Sequence, residues 1–473
     1  MIPFALESRA GIPPSQTQSW VSILLAAYGA ALLVLSPLAG WYADQTSSRR
    51  LPLLLGLLAL GGATVMLCLA RTVALLVVGR ILQGFSAAVV WTVGQALLVD
   101  TVGTKEIAQT LGYVSISMSV AVLVAPLLGG VVYEKAGYYS VYYMAFGLVA
   151  LDIVLRLLLI EKKIARQWTD DFSAEDEEVG GKSSREVEAE GKANIGLEKT
   201  AEPRERPERE RGSSDIPRIT PRSTTPPPTF QRSKYPPVLT LLKSRRLLTA
   251  LWGFIVQGSQ MTAFDSVIPL FVERTFHWNS IGAGLIFLAV MVPSFLAPAV
   301  GWVSDNYGPR WPAVSGFIFA IPFWILLRLV DHDSLGQKVL LCALLALIGV
   351  SLTLIMPPLM AEITYVVEAK ERECPGRFGP TGAYAQAYGL FVTAFAAGTL
   401  IGPIWSGYVE DAAGWSTMAW SLGVFSVAGA IPCLIWTGGL ITDVNAKSGE
   451  ERAIGKSAMN DNATAGIVVD NAV

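Results

Sequence analysis

Eleven apolar runs, each about as long as a bilayer core is thick, constrain this 473-residue chain before any motif is read. A helix needs roughly 20 apolar residues to cross the hydrocarbon. Runs of that kind occur at 19–42, 51–71, 73–99, 108–132 and 138–160, then at 247–272, 281–303, 311–330, 338–366, 383–408 and 415–440. Strands of a membrane barrel would be shorter and would alternate in polarity. Backbone groups in lipid must bond within their own segment, so the runs predict an all-α membrane protein. With 52% hydrophobic and 16% charged residues, the chain has too few charges to coat a water-exposed surface of this size. A formal net charge of −2 lacks the basic excess of a nucleic-acid binder. The two His and four Cys offer no metal spacing and no disulfide framework. No Gly-x-x-x-x-Gly-Lys-Ser/Thr loop is present to cradle a nucleotide. No metal, cofactor or catalytic set is expected.

The runs fall into two groups. Residues 161–246 are charged, Pro-rich and almost free of aromatics. Such a segment cannot bury enough apolar surface to offset its ordering entropy, which predicts a disordered linker. It serves either as a plain tether or as a phosphorylated regulatory loop. The predicted units are therefore an N-terminal bundle (1–160), the linker, a C-terminal bundle (247–440) and a tail (441–473). Arg49, Arg50 and Arg310 sit in short loops on the same side as the linker ends. The positive-inside rule makes that side cytoplasmic, together with linker and tail.

The two bundles repeat one another. "GWYADQTSSRRLP" at 40–52 matches "GWVSDNYGPRWP" at 301–312, so Gly40, Asp44 and Arg49 map to Gly301, Asp305 and Arg310 at an offset of 261. "LVAPLLGGVVYEKAG" at 123–137 matches "LIGPIWSGYVEDAAG" at 400–414, so Pro126, Gly130 and Gly137 map to Pro403, Gly407 and Gly414 at an offset of 277. Asp100 pairs with Glu362 at an offset of 262. Matched runs point the same way, which is a parallel repeat about an axis along the membrane normal. The first bundle has five runs and the second six. The opening string "MIPFALESR" echoes "VIPLFVERT" at 267–275, which ends the extra run. The chain is thus expected to begin at the last turn of a first span that is absent, giving eleven spans of twelve.

These motifs resemble the major facilitator superfamily, in particular the twelve-span drug:proton antiporter branch and its fungal members related to vesicular amine transporters. "GWYADQTSSRRL" is similar to the loop signature after the second family span. "RILQGFSAA" at 80–88 is similar to the fourth-span signature, with Arg80, Gln83 and Gly84 in place. "AVLVAPLLGG" keeps Pro126, Gly129 and Gly130 of the antiporter signature, and "GTLIGPIWSG" at 398–407 echoes it with Gly402, Pro403 and Gly407. The resemblance covers about 1–160 and 247–440 and implies two pseudo-symmetric helical bundles. It also implies alternating access at a midplane site and proton-coupled export of a small organic compound by a monomer, with lipid, substrate and proton as partners. The plasma membrane is the favoured location, with a vacuolar or vesicular membrane as the other. Two alternatives stay open: a truncated, non-transporting membrane protein or sensor, and a uniporter or importer.

Charged groups inside the membrane cost about 2.5–3.5 kcal/mol on insertion scales and so need a role. Helical spacing puts Arg80, Gly84, Ala87 and Trp91 on one stripe, with Gln83 beside it. The resemblance implies that this stripe lines the cavity and that Arg80 serves proton coupling. By the same resemblance Asp44, Arg49, Arg50 and Asp100 form a charge relay that holds the halves closed, with Asp305, Arg310 and Glu362 as its counterpart. Asp265 is either a proton or cation site or an outer-rim residue, with Gln257 and Gln260 deeper on its helix. Tyr388, Phe391 and Phe395 at helical spacing form either an aromatic cavity wall or ordinary packing. Pro126, Gly129, Gly130, Gly402, Pro403 and Gly407, like Gly84, are expected to let helices approach closely. Asp152 and Arg156, one turn apart, are expected to neutralise each other.

Overall fold

The computed structural model describes residues 11–46, 48–159, 236–278, 285–374 and 382–439, with Leu6, Arg9, Gly282, Arg377 and Phe378 outside those runs. The linker read at 161–246 lies outside the described residues except at its end, and the tail 441–473 lies wholly outside them. Among the described residues all regular structure is helical.

The first half contains α1 (Pro14–Gln45), α2 (Arg50–Leu69), α3 (Val73–Val102), α4 (Ile107–Ala136) and α5 (Tyr138–Leu158). A short helix α6 (Pro237–Leu242) then lies inside the stretch read as linker, with Thr240 and Leu241 buried. The second half contains α7 (Arg245–Phe276), α8 (Phe287–Met291), α9 (Ala297–Tyr307), α10 (Arg310–Leu326), α11 (Leu335–Glu373) and α12 (Tyr384–Trp436). A 3-10 turn at Val292–Leu296, which contains Pro293, joins α8 to α9 in one broken span. Proline supplies no N–H to the helical ladder, which is why the break falls there.

Among the described residues nine helices are long and apolar enough to cross a membrane. One of them, α12, is two spans joined at Gly414, whose φ of 79° breaks the helix. Gly137 takes the matching role between α4 and α5 with φ 82°. The α7 helix is not among the nine, because Gln257, Ser259, Gln260, Thr262 and Asp265 lower its hydropathy. Its packing against α12 nonetheless places it in the bundle, so eleven passes are seen among the described residues. At the other extreme, α5 is apolar apart from Ser140 and the Asp152–Arg156 pair, yet buries none of its residues in protein. Lipid is the solvent that such a surface fits.

The opening string shows its echo in the backbone. The Trp278 N–H bonds the Val272 carbonyl at 3.4 Å around His277, whose φ is 53°. The Ile12 N–H bonds the Leu6 carbonyl at 3.0 Å around Gly11, whose φ is 66°. Both bonds run back from residue i to the carbonyl of i−6, around a left-handed residue at i−1 of the kind that often follows the end of an α-helix. Leu6 and Val272, at matched positions, are both fully buried. Arg9 is tied down by bonds to the Cys68 carbonyl at 2.7 Å and the Tyr139 hydroxyl at 2.8 Å. Residues 1–5 lie outside the described residues.

The halves meet along two crossings, α1 with α12 and α9 with α4. The sequence repeat relates them. A Cβ at Gly40 would sit 2.4 Å from the Ala385 carbonyl oxygen, and one at Gly301 2.2 Å from that of Ala108. One level deeper, a Cβ at Gly389 would sit 2.6 Å from the Ser36 oxygen, and one at Gly112 2.5 Å from that of Ala297. Each crossing thus uses one glycine from each helix, and the two crossings superpose at the offsets 261 and 277 read from the sequence.

Candidate functional site

Two features stand on the axis between the halves: a set of polar contacts at the face that carries the basic loops, and a cavity beyond it.

At the basic-loop face, Asp44 ends α1 and reaches across to the start of α12. Its carboxylate accepts from the Ala385 N–H at 3.1 Å, the Gln386 N–H at 2.9 Å and the Gln386 Nε2 at 3.2 Å. An anion at a helix N-terminus satisfies donors that have no partner within the helix and meets the positive end of the helix dipole. Arg49 donates to Asp44 at 3.0 Å and to Asp100 on α3 at 3.0 Å, tying three helices of the two halves into one node. Asp305 does the same in the second half. It accepts from the Ala108 N–H at 3.0 Å and the Gln109 N–H at 2.9 Å at the start of α4, and from the Tyr365 hydroxyl at 2.7 Å.

The remaining charges divide differently from the first half. Glu362 is fully buried and takes a two-pronged bond from Arg246, at 2.7 and 3.1 Å, together with the Gly438 N–H at 2.8 Å. Arg310 donates instead to the Thr437 carbonyl at 2.6 Å and to the Gly439 carbonyl. Arg50 likewise reaches the Leu157 carbonyl at the end of α5. Arg246 has no counterpart among the residues singled out in the sequence. Its pairing signal was only its place in a basic cluster at a span start. Asp152 and Arg156 pair at 3.3 Å along their own helix.

Beyond this face lies a cavity of about 850 Å³. Tyr28 and Leu32 of α1, Trp91 of α3, Met118 of α4, Asp265 of α7, Met356 of α11 and Phe391 and Phe395 of α12 contribute to its wall. On α1 the wall ends at Leu32 and the polar node begins at Asp44, about 18 Å further along the helix axis. Between them the α1–α12 and α4–α9 backbones are in close contact at Gly389–Ser36 and Gly112–Ala297. Asp265 is exposed into the cavity, and its carboxylate has no hydrogen-bond or ionic partner among the described residues. Pro403 also lies on the wall.

Several residues named from the sequence lie elsewhere. Tyr388 is fully buried below the cavity, its hydroxyl 2.9 Å from that of Thr364, and only Phe391 and Phe395 of that trio line the wall. Gln260 faces the second limb of α12, donating to the Leu422 carbonyl at 3.0 Å and to Ser426 at 2.5 Å. Gln257 lines a smaller crevice of about 80 Å³ that shares Met118, Met356 and Phe395 with the main cavity. Arg80 does not reach the wall. It is half-buried, donates to Gln83 at 3.0 Å and lies within electrostatic reach of Tyr28 and Tyr142, while its Nε finds no partner among the described residues. Gly84 packs against the α1 backbone, where a Cβ would sit 2.5 Å from the Tyr28 oxygen, and Gly402 packs against α7, 2.2 Å from the Ser259 oxygen. Gly129 and Gly407 have open space where a Cβ would go, so neither carries a close approach. The side-chain environments of Pro126 and Gly130 lie outside the described residues.

Comparison with known proteins fits this architecture. A family model described as Major Facilitator Superfamily matches residues 1–374. The MFS-type transporter ppzB of Metarhizium majus (strain ARSEF 297) is 32% identical over 451 residues, covering 92% of this chain and 95% of the relative. The vesicular acetylcholine transporter of Rattus norvegicus is 33% identical over 155 residues, 33% of this chain and 29% of that one. The crystal structure of the human organic anion transporter MFSD10 (TETRAN) matches with a TM-score of 0.60 at 15% identity, covering 91% of this chain and 93% of that one, which speaks for the fold alone. Two half-bundles related by a parallel repeat, a cavity between them and this family match lead to one conclusion: the chain is a membrane transporter and belongs to the major facilitator superfamily.

Proposed function

We propose that the chain exports small organic compounds by proton-coupled alternating access, with Asp265 as the group at which proton and substrate compete. The observation that carries this reading is the Asp265 carboxylate, unpartnered among the described residues in a cavity whose other walls are mostly aromatic and aliphatic, with Thr262, Ser266 and Thr399 as hydroxyl-bearing neighbours. A carboxylate so placed holds either a proton or an organic cation, not both. Release of one on loading of the other is the elementary step of antiport. Trp91, Tyr28 and Phe391 give flat faces that suit an aromatic or cationic body. Arg80, behind Tyr28, sets the local potential without touching the substrate.

The node around Asp44, Arg49 and Asp100, with Asp305 as its pseudo-symmetric partner, acts as the latch of the closed face. The positive-inside rule makes that face cytoplasmic, so the cavity is turned outward, as after release of an exported compound. Protonation of Asp265 would then favour return to the inward-open form. The relationship to a vesicular acetylcholine transporter supports a cationic substrate over a neutral one.

The test uses inverted vesicles from cells expressing the full chain, with ethidium as probe. Ethidium accumulation is expected to require the pH gradient and to stop when nigericin collapses it. Asp265→Asn should abolish accumulation while protein level and detergent-extracted monodispersity stay unchanged. Accumulation that ignores the gradient, or an Asp265→Asn protein that accumulates normally, refutes the reading.

A further inference from the structure

The crevice beside the cavity offers mainly hydrogen-bond acceptors. Five polar side chains line it: Ser115, Ser119, Ser294, Thr353 and Gln257. All four hydroxyl donors, and one of the two Gln257 N–H donors, are spent on main-chain carbonyls. Ser115 donates to Leu111 at 3.0 Å, Ser119 to Ser115 at 3.1 Å, Ser294 to Met291 at 2.6 Å and Thr353 to Gly349 at 2.8 Å. The Gln257 Nε2 donates to the Leu352 carbonyl at 3.2 Å. What remains are hydroxyl lone pairs, one Gln257 N–H and the Gln257 Oε1, which is buried and accepts nothing among the described residues. Buried polar atoms are satisfied in most proteins, so an orphaned acceptor beside a ligand cavity asks for a donor.

Resting on the proposed function, we infer that crevice and cavity form one two-point site for an elongated organic cation that also carries a neutral N–H or O–H donor. The cation meets Asp265 and the donor enters the crevice to reach Gln257. Both residues lie on α7, eight positions apart, which is about 12 Å along the helix. The donor is neutral because no carboxylate lines the crevice to pair with a second charge. A volume of about 80 Å³ admits an amine or hydroxyl on a ring edge. Met118, Met261, Met291 and Met356 around it are unbranched and adaptable, so the crevice can widen to let that edge turn toward Oε1.

Two probes test this on the purified full-length chain in nanodiscs. Ethidium is a planar cation with two ring amines; its analogue has hydrogens in place of both amines. The wild-type protein should bind ethidium about tenfold more tightly than the analogue, the contribution of one neutral hydrogen bond. Gln257→Met, which keeps the volume and removes the acceptor, should bring ethidium down to the analogue's affinity and leave the analogue within twofold. Unchanged analogue binding shows that this variant is folded. Equal binding of both probes by wild type, or equal losses in Gln257→Met, overturns the two-point site while leaving the function proposed above intact. If Asp265→Asn weakens neither probe, or neither binds wild type at millimolar concentration, the cation reading of Asp265 falls and the two-point site with it.

Discussion

Replacing Asp44 with Ala should unlatch the basic-loop face. In the closed form Asp44 accepts two backbone N–H groups at the start of α12, one Gln386 side-chain donor and one Arg49 donor. An N-terminal helix cap contributes about 1 kcal/mol, and a hydrogen bond to a charged group about 1.5 kcal/mol. Arg49 keeps Asp100 and the Ala43 carbonyl, which limits the loss on that side. Only contacts absent from the open form count, so the closed state should lose about 2–3 kcal/mol, a shift of roughly 30- to 150-fold in the closed-to-open ratio. Ser36 reports on this. It is fully buried, and its carbonyl oxygen abuts Gly389 at the α1–α12 crossing. In a chain with its four cysteines replaced, Ser36→Cys should react slowly with an impermeant maleimide applied to the basic-loop face. Adding Asp44→Ala should raise that rate at least tenfold. Asp305→Ala should act in the same direction and less, because Asp305 accepts from Ala108, Gln109 and Tyr365 and from no arginine among the described residues. Asp152→Asn, which breaks a pair within α5, should leave the rate alone. A change below twofold on Asp44→Ala, or an equal rise with Asp152→Asn, would refute the latch.

Gly301→Ala should open the same face without touching a charge, since the new methyl would sit 2.2 Å from a backbone oxygen that has nowhere to go; overpacking of this kind costs about 1–3 kcal/mol. Gly129→Ala, with open space around it, should change neither the Ser36→Cys labelling rate nor the melting temperature. His277→Gly should raise the melting temperature by about 1–2 °C, because a non-glycine residue at φ 53° carries about 1 kcal/mol of backbone strain. Gly11→Ala should lower it by a similar amount for the converse reason; thermal unfolding of the purified variants checks both.

What the sequence made legible and what it hid follow from the same physics. Span count, repeat offsets and the Asp44–Arg49–Asp100 grouping depend on length, identity and charge, which are visible residue by residue. The node's partners on the opposite half are backbone N–H groups of Ala385, Gln386, Ala108 and Gln109, and backbone donors leave no mark on a sequence. Helical spacing put Tyr388 with Phe391 and Arg80 with Trp91, yet a span about 30 residues long passes through more than one environment. Its lower turns pack against the latch or the lipid-side helices and only its middle turns see the cavity. Small residues misled in the same way. The antiporter-like signature drew attention to Gly129 and Gly407, which have open space where a Cβ would go, while Gly112 and Gly389 sit alone in their segments and carry the deeper crossing. They were findable all the same. Gly389 lies 277 positions after Gly112, and Gly301 lies 261 after Gly40, the offsets fixed by the longer motifs. In a duplicated fold, an isolated glycine that recurs at the repeat offset is a stronger sign of a helix crossing than one embedded in a motif. The motif can persist for reasons of span geometry, whereas a repeated lone glycine has only its missing side chain to offer.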